Sequence, residues 1–288
     1  MVTKHTDITY GPDDNFNRFD IWLVDSDKPT PLVIFYHGGA FVGGKKSDFK
    51  QEDKTHFLEA GVSFATVDYR PHTEHDRGIL GSMNDCRRAL QMMRNKASEL
   101  NIDKDRIGAY GKSAGAGTSL WIAFHDDMAA DPISNVPPYL KESTRLQVVG
   151  ALATQSTYDI VQWSEIFQNC RIRRPLKEAL LVFAVHCCKL NTVQELYQPE
   201  GIRIRTALDF LAKMSPDDPP MYVRNGLTNE CSNIRGMDMN HILHSPLHAK
   251  RLKEQADAVG LQCYVEAPDV GENPRPLQDL VGFFLDHL

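Results

Sequence analysis

The tightest constraint on how this chain folds is one stretch, Arg106-Ile107-Gly108-Ala109-Tyr110-Gly111-Lys112-Ser113-Ala114-Gly115-Ala116-Gly117. Ile107 to Tyr110 reads as a short apolar strand, Ser113 as the tip of a glycine-flanked turn, and Thr118 to Phe124 as a helix. In a G-x-S-x-G turn the serine sits in a strained strand-to-helix bend with its hydroxyl exposed. Small residues at 111 and 115 let the neighbouring backbones approach closely. The helix that follows points free N–H groups and partial positive charge at the place where negative charge would develop. Gly111-Lys112-Ser113 also ends like a phosphate-binding loop, but that motif needs its first glycine at 106, where Arg106 stands.

Around this turn the chain alternates between strand and helix patterns. Phe19 to Val24 alternates as an early strand, and Leu32 to Tyr36 is a continuous apolar run suited to a strand buried on both faces. A helix over roughly Asp53 to Ala60, a strand over Ser63 to Val67 and a periodic helix from about Met83 to Leu100 follow. Such alternation is the signature of a parallel α/β sheet with right-handed crossovers. His37-Gly38-Gly39-Ala40 directly follows a buried strand, so its backbone N–H groups can turn outward. Gly38, Gly39 and Ala114 thereby become candidate donors of an oxyanion hole.

Composition narrows the partners. With 288 residues, 42% hydrophobic and 24% charged, the chain reads as an ordinary soluble α/β protein. A net charge of -6 with scattered basic residues argues against a nucleic-acid partner. The longest apolar run, Ala179 to Val185, is too short for a membrane span, and no signal peptide is visible at Met1 to Asp7. The six cysteines lack paired spacing, so reduced thiols in a cytoplasmic protein are expected, with no metal site and no cofactor.

His37-Gly38-Gly39, Asp68-Tyr69-Arg70, Asp85 in its helix, Asp103 before Arg106-Ile107, and Gly111-Lys112-Ser113-Ala114-Gly115 occur in a characteristic order and spacing. In this the chain resembles the hormone-sensitive-lipase-like esterases of the α/β-hydrolase superfamily, over about residues 20 to 150. Lys112 departs from the acidic residue usual at that position. The resemblance implies an α/β-hydrolase fold with a mostly parallel sheet and a helical cap inserted after the sixth strand. It also implies a serine carboxylesterase acting on small-molecule esters with small to medium acyl groups. His37 would brace the oxyanion loop rather than transfer protons.

Gln147 to Ala153 reads as the strand before the insertion, which gives a core domain at 1–155 and 214–288 and a cap at 156–213. Apolar helices in the cap would line an acyl pocket or offer a surface for a homo-oligomer. Met221 to Gly226 and Gln262 to Glu266 read as the last two strands. The family's histidine would follow the second of these, yet Glu266 to Pro274 contains none. The loop after Gly226 is instead rich in candidates: Glu230, Asp238, His241, His244 and His248. We expect His244 as the base and Asp238 as the acid that orients it, with His241, His248 and Glu230 as alternatives. A hydrolase-fold protein that is catalytically impaired and binds a ligand or partner is the other reading.

Overall fold

In the computed structural model, which describes residues 1–233 and 236–288, eight strands form one sheet. They are β1 (Val2–Thr9), β2 (Arg18–Val24), β3 (Thr30–Tyr36), β4 (Ser63–Val67), β5 (Ile102–Lys112), β6 (Val148–Leu152), β7 (Met221–Arg224) and β8 (Cys263–Glu266). Their order is β1-β2-β4-β3-β5-β6-β7-β8. β2 runs antiparallel to both β1 and β4, and every pairing from β4 to β8 is parallel. This is the α/β-hydrolase fold.

The continuous apolar runs are buried on both faces because helices cover both. On one face Val33, Phe35, Phe64, Tyr110 and Tyr222 pack against Phe57 of α1 (Gln51–Glu59) and the terminal helix at Leu280–Leu285. On the other, Ile34, Tyr36, Ala65 and Ala109 meet α2 (Ile79–Asn95) and α3 (Ala114–Phe124). The alternation of side chains along each strand divides them between the two layers. Tyr110, fully buried, makes edge contacts with Phe35 and Phe284 at ring-centroid distances of 5.2 and 6.0 Å.

After β6 the chain leaves the sheet and forms α4 (Trp163–Ile166), α5 (Arg174–Cys187) and α6 (Pro199–Leu208) before returning as β7. Tyr158, Trp163, Phe167 and Phe210 from this segment are buried in the same apolar cluster as α2 and α3. The loop after β7 carries α7 (Met239–Leu243) and leads into α8 (Pro246–Val259); the terminal helix is α9. Pro at the start of α8 and left-handed Gly260 at its end set that helix's limits.

One expectation is corrected, and two features had no local sequence signal. β1, which has no apolar alternation, forms almost entirely exposed and is held by its ladder to β2. Cys170 and Cys231 form a disulfide, whereas Cys86, Cys187 and Cys188 are buried thiols and Cys263 is a half-buried one. The inference of reduced thiols therefore applies to four of the six cysteines. His75, in the polar loop after Asp68-Tyr69-Arg70, is buried 3.3 Å from the Asp85 carboxylate.

Candidate active site

The carboxyl ends of β3, β5, β6 and β7 converge on one edge of the sheet, and each contributes. β5 delivers Ser113, whose φ of 54° places it in the left-handed region. A Cβ on Gly115 would lie 2.0 Å from the Tyr36 carbonyl oxygen, and one on Gly111 would lie 2.3 Å from the Gly115 backbone. Both glycines are thus demanded by backbone-to-backbone contact. The strained turn is pinned from outside, because the Ser113 N–H donates to the Leu152 carbonyl of β6 at 2.9 Å.

β3 delivers the oxyanion loop. Gly39 has φ of 111°, and a Cβ on Gly38 would lie 3.4 Å from Ser113 Cβ, so the loop lies directly against the serine. Among the described residues no hydrogen bond engages the N–H groups of Gly38, Gly39 or Ala114. His37 is buried, stacked on Tyr69 with ring centroids 4.1 Å apart, and its Nδ1–H donates to the Gly38 carbonyl at 2.7 Å. The Tyr69 hydroxyl donates to the His37 carbonyl at 2.7 Å. Asp68, Tyr69 and Arg70 form the next support. The Asp68 carboxylate accepts the Lys46 N–H, and Arg70 grips Asp85 through two bonds of 2.8 Å. Burial raises the Asp85 pKa, but bonds from Arg70, His75 and Asn17 outweigh it and hold the carboxyl well below the usual range.

The loop after β7 delivers the histidine. His244 Nε2 lies 2.9 Å from Ser113 Oγ. Its Nδ1 lies 2.9 Å from Asn240 Oδ1. An amide oxygen can only accept, so this contact puts the proton on Nδ1 and leaves Nε2 free to take the serine proton. Burial first, then the positive charge of Lys112, hold the His244 pKa below the ordinary histidine value.

Asp238 does not occupy the place expected of it. Its carboxylate caps α7 by accepting the His241 N–H at 2.8 Å, and it bonds the His241 ring at 2.9 Å. The cause is helical spacing: a residue at the N-cap faces the third residue onward, whereas His244 sits one turn above Asn240. Glu230 bonds Asn233 and Thr228, and among the described residues no hydrogen bond or ion pair joins it to His244. His248 is fully buried, with Nε2–H donating to the Ile242 carbonyl at 3.0 Å and Nδ1 accepting from Ser156. Burial pushes its pKa down to about 3, so it stays neutral and acts as a structural pin.

Asn240 was not among the sequence candidates, and neither were the two side chains that hold the histidine in place. Gln155 Nε2 donates to the Leu243 carbonyl, and Asn225 Nδ2 donates to the Ser245 carbonyl at 2.9 Å. The residues on both sides of His244 are thereby tied to loops from β6 and β7. The Cys170–Cys231 disulfide joins the same loop to the segment after α4. It is flanked by backbone bonds from Arg171 to Cys231 (3.1 Å) and Met237 to Arg171 (3.2 Å).

Two cavities meet at Ser113. One, of about 20 Å³, is lined by apolar groups that include Phe41, Tyr158, Trp163, Phe183 and Leu243. The other, a cleft of about 610 Å³, is lined by Gly38, Gly39, Lys112, Asn240 and His244 among others. Among the described residues no group of three or more His, Cys, Asp or Glu side chains is arranged to hold a metal ion.

Known proteins with similar features bear on this arrangement. The family model described as BD-FAE matches residues 19–195. Carboxylesterase NlhH of Mycobacterium tuberculosis is 32% identical over 93 residues, covering 32% of this chain and 28% of the relative. An arylesterase of Saccharolobus solfataricus is 34% identical over 93 residues, covering 31% and 30%. The chain thus spans less than a third of the length of these two relatives. Among solved structures, a truncated carbohydrate esterase from gut microbiota superposes with a TM-score of 0.67 at 15% identity. That superposition covers 99% of this chain and 96% of the other, and at such identity it shows the fold alone.

Proposed function

The chain belongs to the BD-FAE family of α/β-hydrolase esterases, and on that premise we propose that it hydrolyses carboxylic esters through an acyl enzyme at Ser113. The observation that carries this reading is the relay from Ser113 Oγ to His244 Nε2 and from His244 Nδ1 to Asn240, at 2.9 Å in both steps. Ser113 Oγ attacks the acyl carbon while His244 Nε2 takes its proton. The carbonyl oxygen becomes an oxyanion facing the N–H groups of Gly38, Gly39 and Ala114. The imidazolium then returns the proton to the departing alkoxide, leaving acyl-Ser113. Water, deprotonated by the same Nε2, releases the acid.

Asn240 plays the orienting part of a triad acid without its charge. It fixes the tautomer and ring plane, while the imidazolium receives only an amide dipole. The narrow, largely apolar pocket beside Ser113 suits the acyl side and favours short acyl chains. The larger cleft takes the alcohol. Self-association through the insertion, where Val182, Tyr197 and Ile202 are exposed, also stays a proposal, which sedimentation velocity would test.

The second reading, a hydrolase-fold protein that only binds, draws on the uncharged Asn240. Hydrolysis of 4-nitrophenyl acetate separates the two. The esterase reading expects turnover that Ser113→Ala reduces at least about 1,000-fold. Equal rates for the two proteins, both at background, would support the binding protein.

A further inference from the structure

Lys112 immediately precedes the nucleophile, ends β5 and is exposed. It lines the 610 Å³ cleft beside Ser113 and His244. Among the described residues no hydrogen bond or ion pair engages its ammonium group, although long cations elsewhere on this face are committed. Lys46, for example, is shared among Asp7, Asp20 and Asp68. The surrounding groups do not neutralise Lys112. His244 is neutral in its working form, Asn240 is an amide, and the oxyanion N–H groups and the start of α3 add further positive potential. Among the described residues Asp48 is the one carboxylate lining the cleft, and it accepts the Lys45 N–H at 3.0 Å.

We propose that Lys112 makes the leaving-group cleft selective for esters whose alcohol portion carries a single carboxylate. The inference rests on the esterase reading and deepens it by naming the alcohol class. The charge belongs on the alcohol side because the other cavity is narrow and lined mostly by apolar side chains, where an anion would lose its hydration without a partner. One compact ammonium opposite one carboxylate suits a monoanion. A phosphate dianion would meet Asp48 with twice the repulsion and would find no guanidinium fork.

The test uses matched acetyl esters, 4-acetoxybenzoate against the neutral 4-acetoxybenzamide, with 4-acetoxyphenyl phosphate as a third arm. The ratio of kcat/KM for the carboxylate ester over the amide is compared between wild type, Lys112→Gln and Lys112→Arg. Any change in the basicity of His244 affects both substrates and cancels in the ratio. The expected result is a fall of about two- to fivefold in Lys112→Gln, carried by KM, and retention in Lys112→Arg. The wild-type ratio should also decline as salt rises. A ratio unchanged by Lys112→Gln and flat with salt would overturn the proposal. A phosphate ester preferred over the carboxylate would overturn the monoanion assignment. Binding of 4-acetoxybenzoate and 4-acetoxybenzamide to Ser113→Ala, with and without Lys112→Gln, is measured by calorimetry. This keeps the inference separate from catalysis. Selective binding by Ser113→Ala together with no turnover by the wild type would sustain the anion site and sink the esterase reading; non-selective binding would sink the anion site.

Discussion

The two halves of the candidate site are built on different principles. The Ser113 turn and the Gly38-Gly39 loop are held by backbone meeting backbone, with Gly115 against the Tyr36 carbonyl and Ser113 N–H on the Leu152 carbonyl. The half that carries His244 and Asn240 is held by side chains reaching in from elsewhere. Gln155 and Asn225 hold the carbonyls of the neighbouring Leu243 and Ser245, buried His248 pins Ile242, and a disulfide ties the loop to the segment after α4. Backbone contacts leave a local imprint in sequence, because only glycine satisfies them. Side-chain tethers leave almost none, because their partners lie many residues away.

The comparison breaks most violently at the first half. Gly115→Val would drive side-chain carbon into the Tyr36 carbonyl, where no flexible group can yield. Thermal or urea unfolding should show at least about 3 kcal/mol of lost stability, together with loss of ester hydrolysis. A Gly115→Val protein as stable and active as wild type would mean the turn is not held as described.

Changes in the second half should act on chemistry more than on folding. Asn240→Ala should lower kcat about 10- to 100-fold, with circular dichroism and melting temperature nearly unchanged, because the exposed amide orients the ring without supporting the core. The pH profile sharpens the point. His244 works as a base when neutral, so activity rises with pH through its pKa. Burial and Lys112 lower that pKa, which puts the acid limb of kcat/KM below pH 6.5. Asn240→Asp would stabilise the imidazolium and move the limb upward; a limb that stays put would argue against the contact.

Asp238→Ala should have the smallest effect. It removes the cap of α7 and the His241 partner, for about 1 kcal/mol of stability and no more than about threefold in kcat. Were Asp238 the orienting acid, the loss would approach that of a triad member, about 10,000-fold.

These differences explain what could be read from the sequence. Ser113 and the Gly38-Gly39 loop were legible because turn geometry dictates glycine at fixed offsets, and the sheet was legible from runs such as Leu32 to Tyr36 and Ser63 to Val67. His244 was reached by elimination, since no histidine follows β8. Asp238 stood as the orienting group because a carboxylate was expected there, and Asn240 was not among the candidates. An aspartate just before a short helix is a capping signal, and an asparagine four residues before a histidine lies on the same helical face. The Cys170–Cys231 bridge had no local signal, since 61 residues separate its ends.

The central claim is that His244, oriented by Asn240, activates Ser113. Labelling by a 4-nitrophenyl phosphonate, followed by intact-protein and peptide mass spectrometry, tests it directly because the reagent needs an activated serine and no particular alcohol. One adduct on Ser113 is predicted. Its rate should fall at least about 100-fold in His244→Ala and stay within about threefold of wild type in His241→Ala. Equal labelling of wild type and His244→Ala, or loss of labelling in His241→Ala alone, would contradict the account.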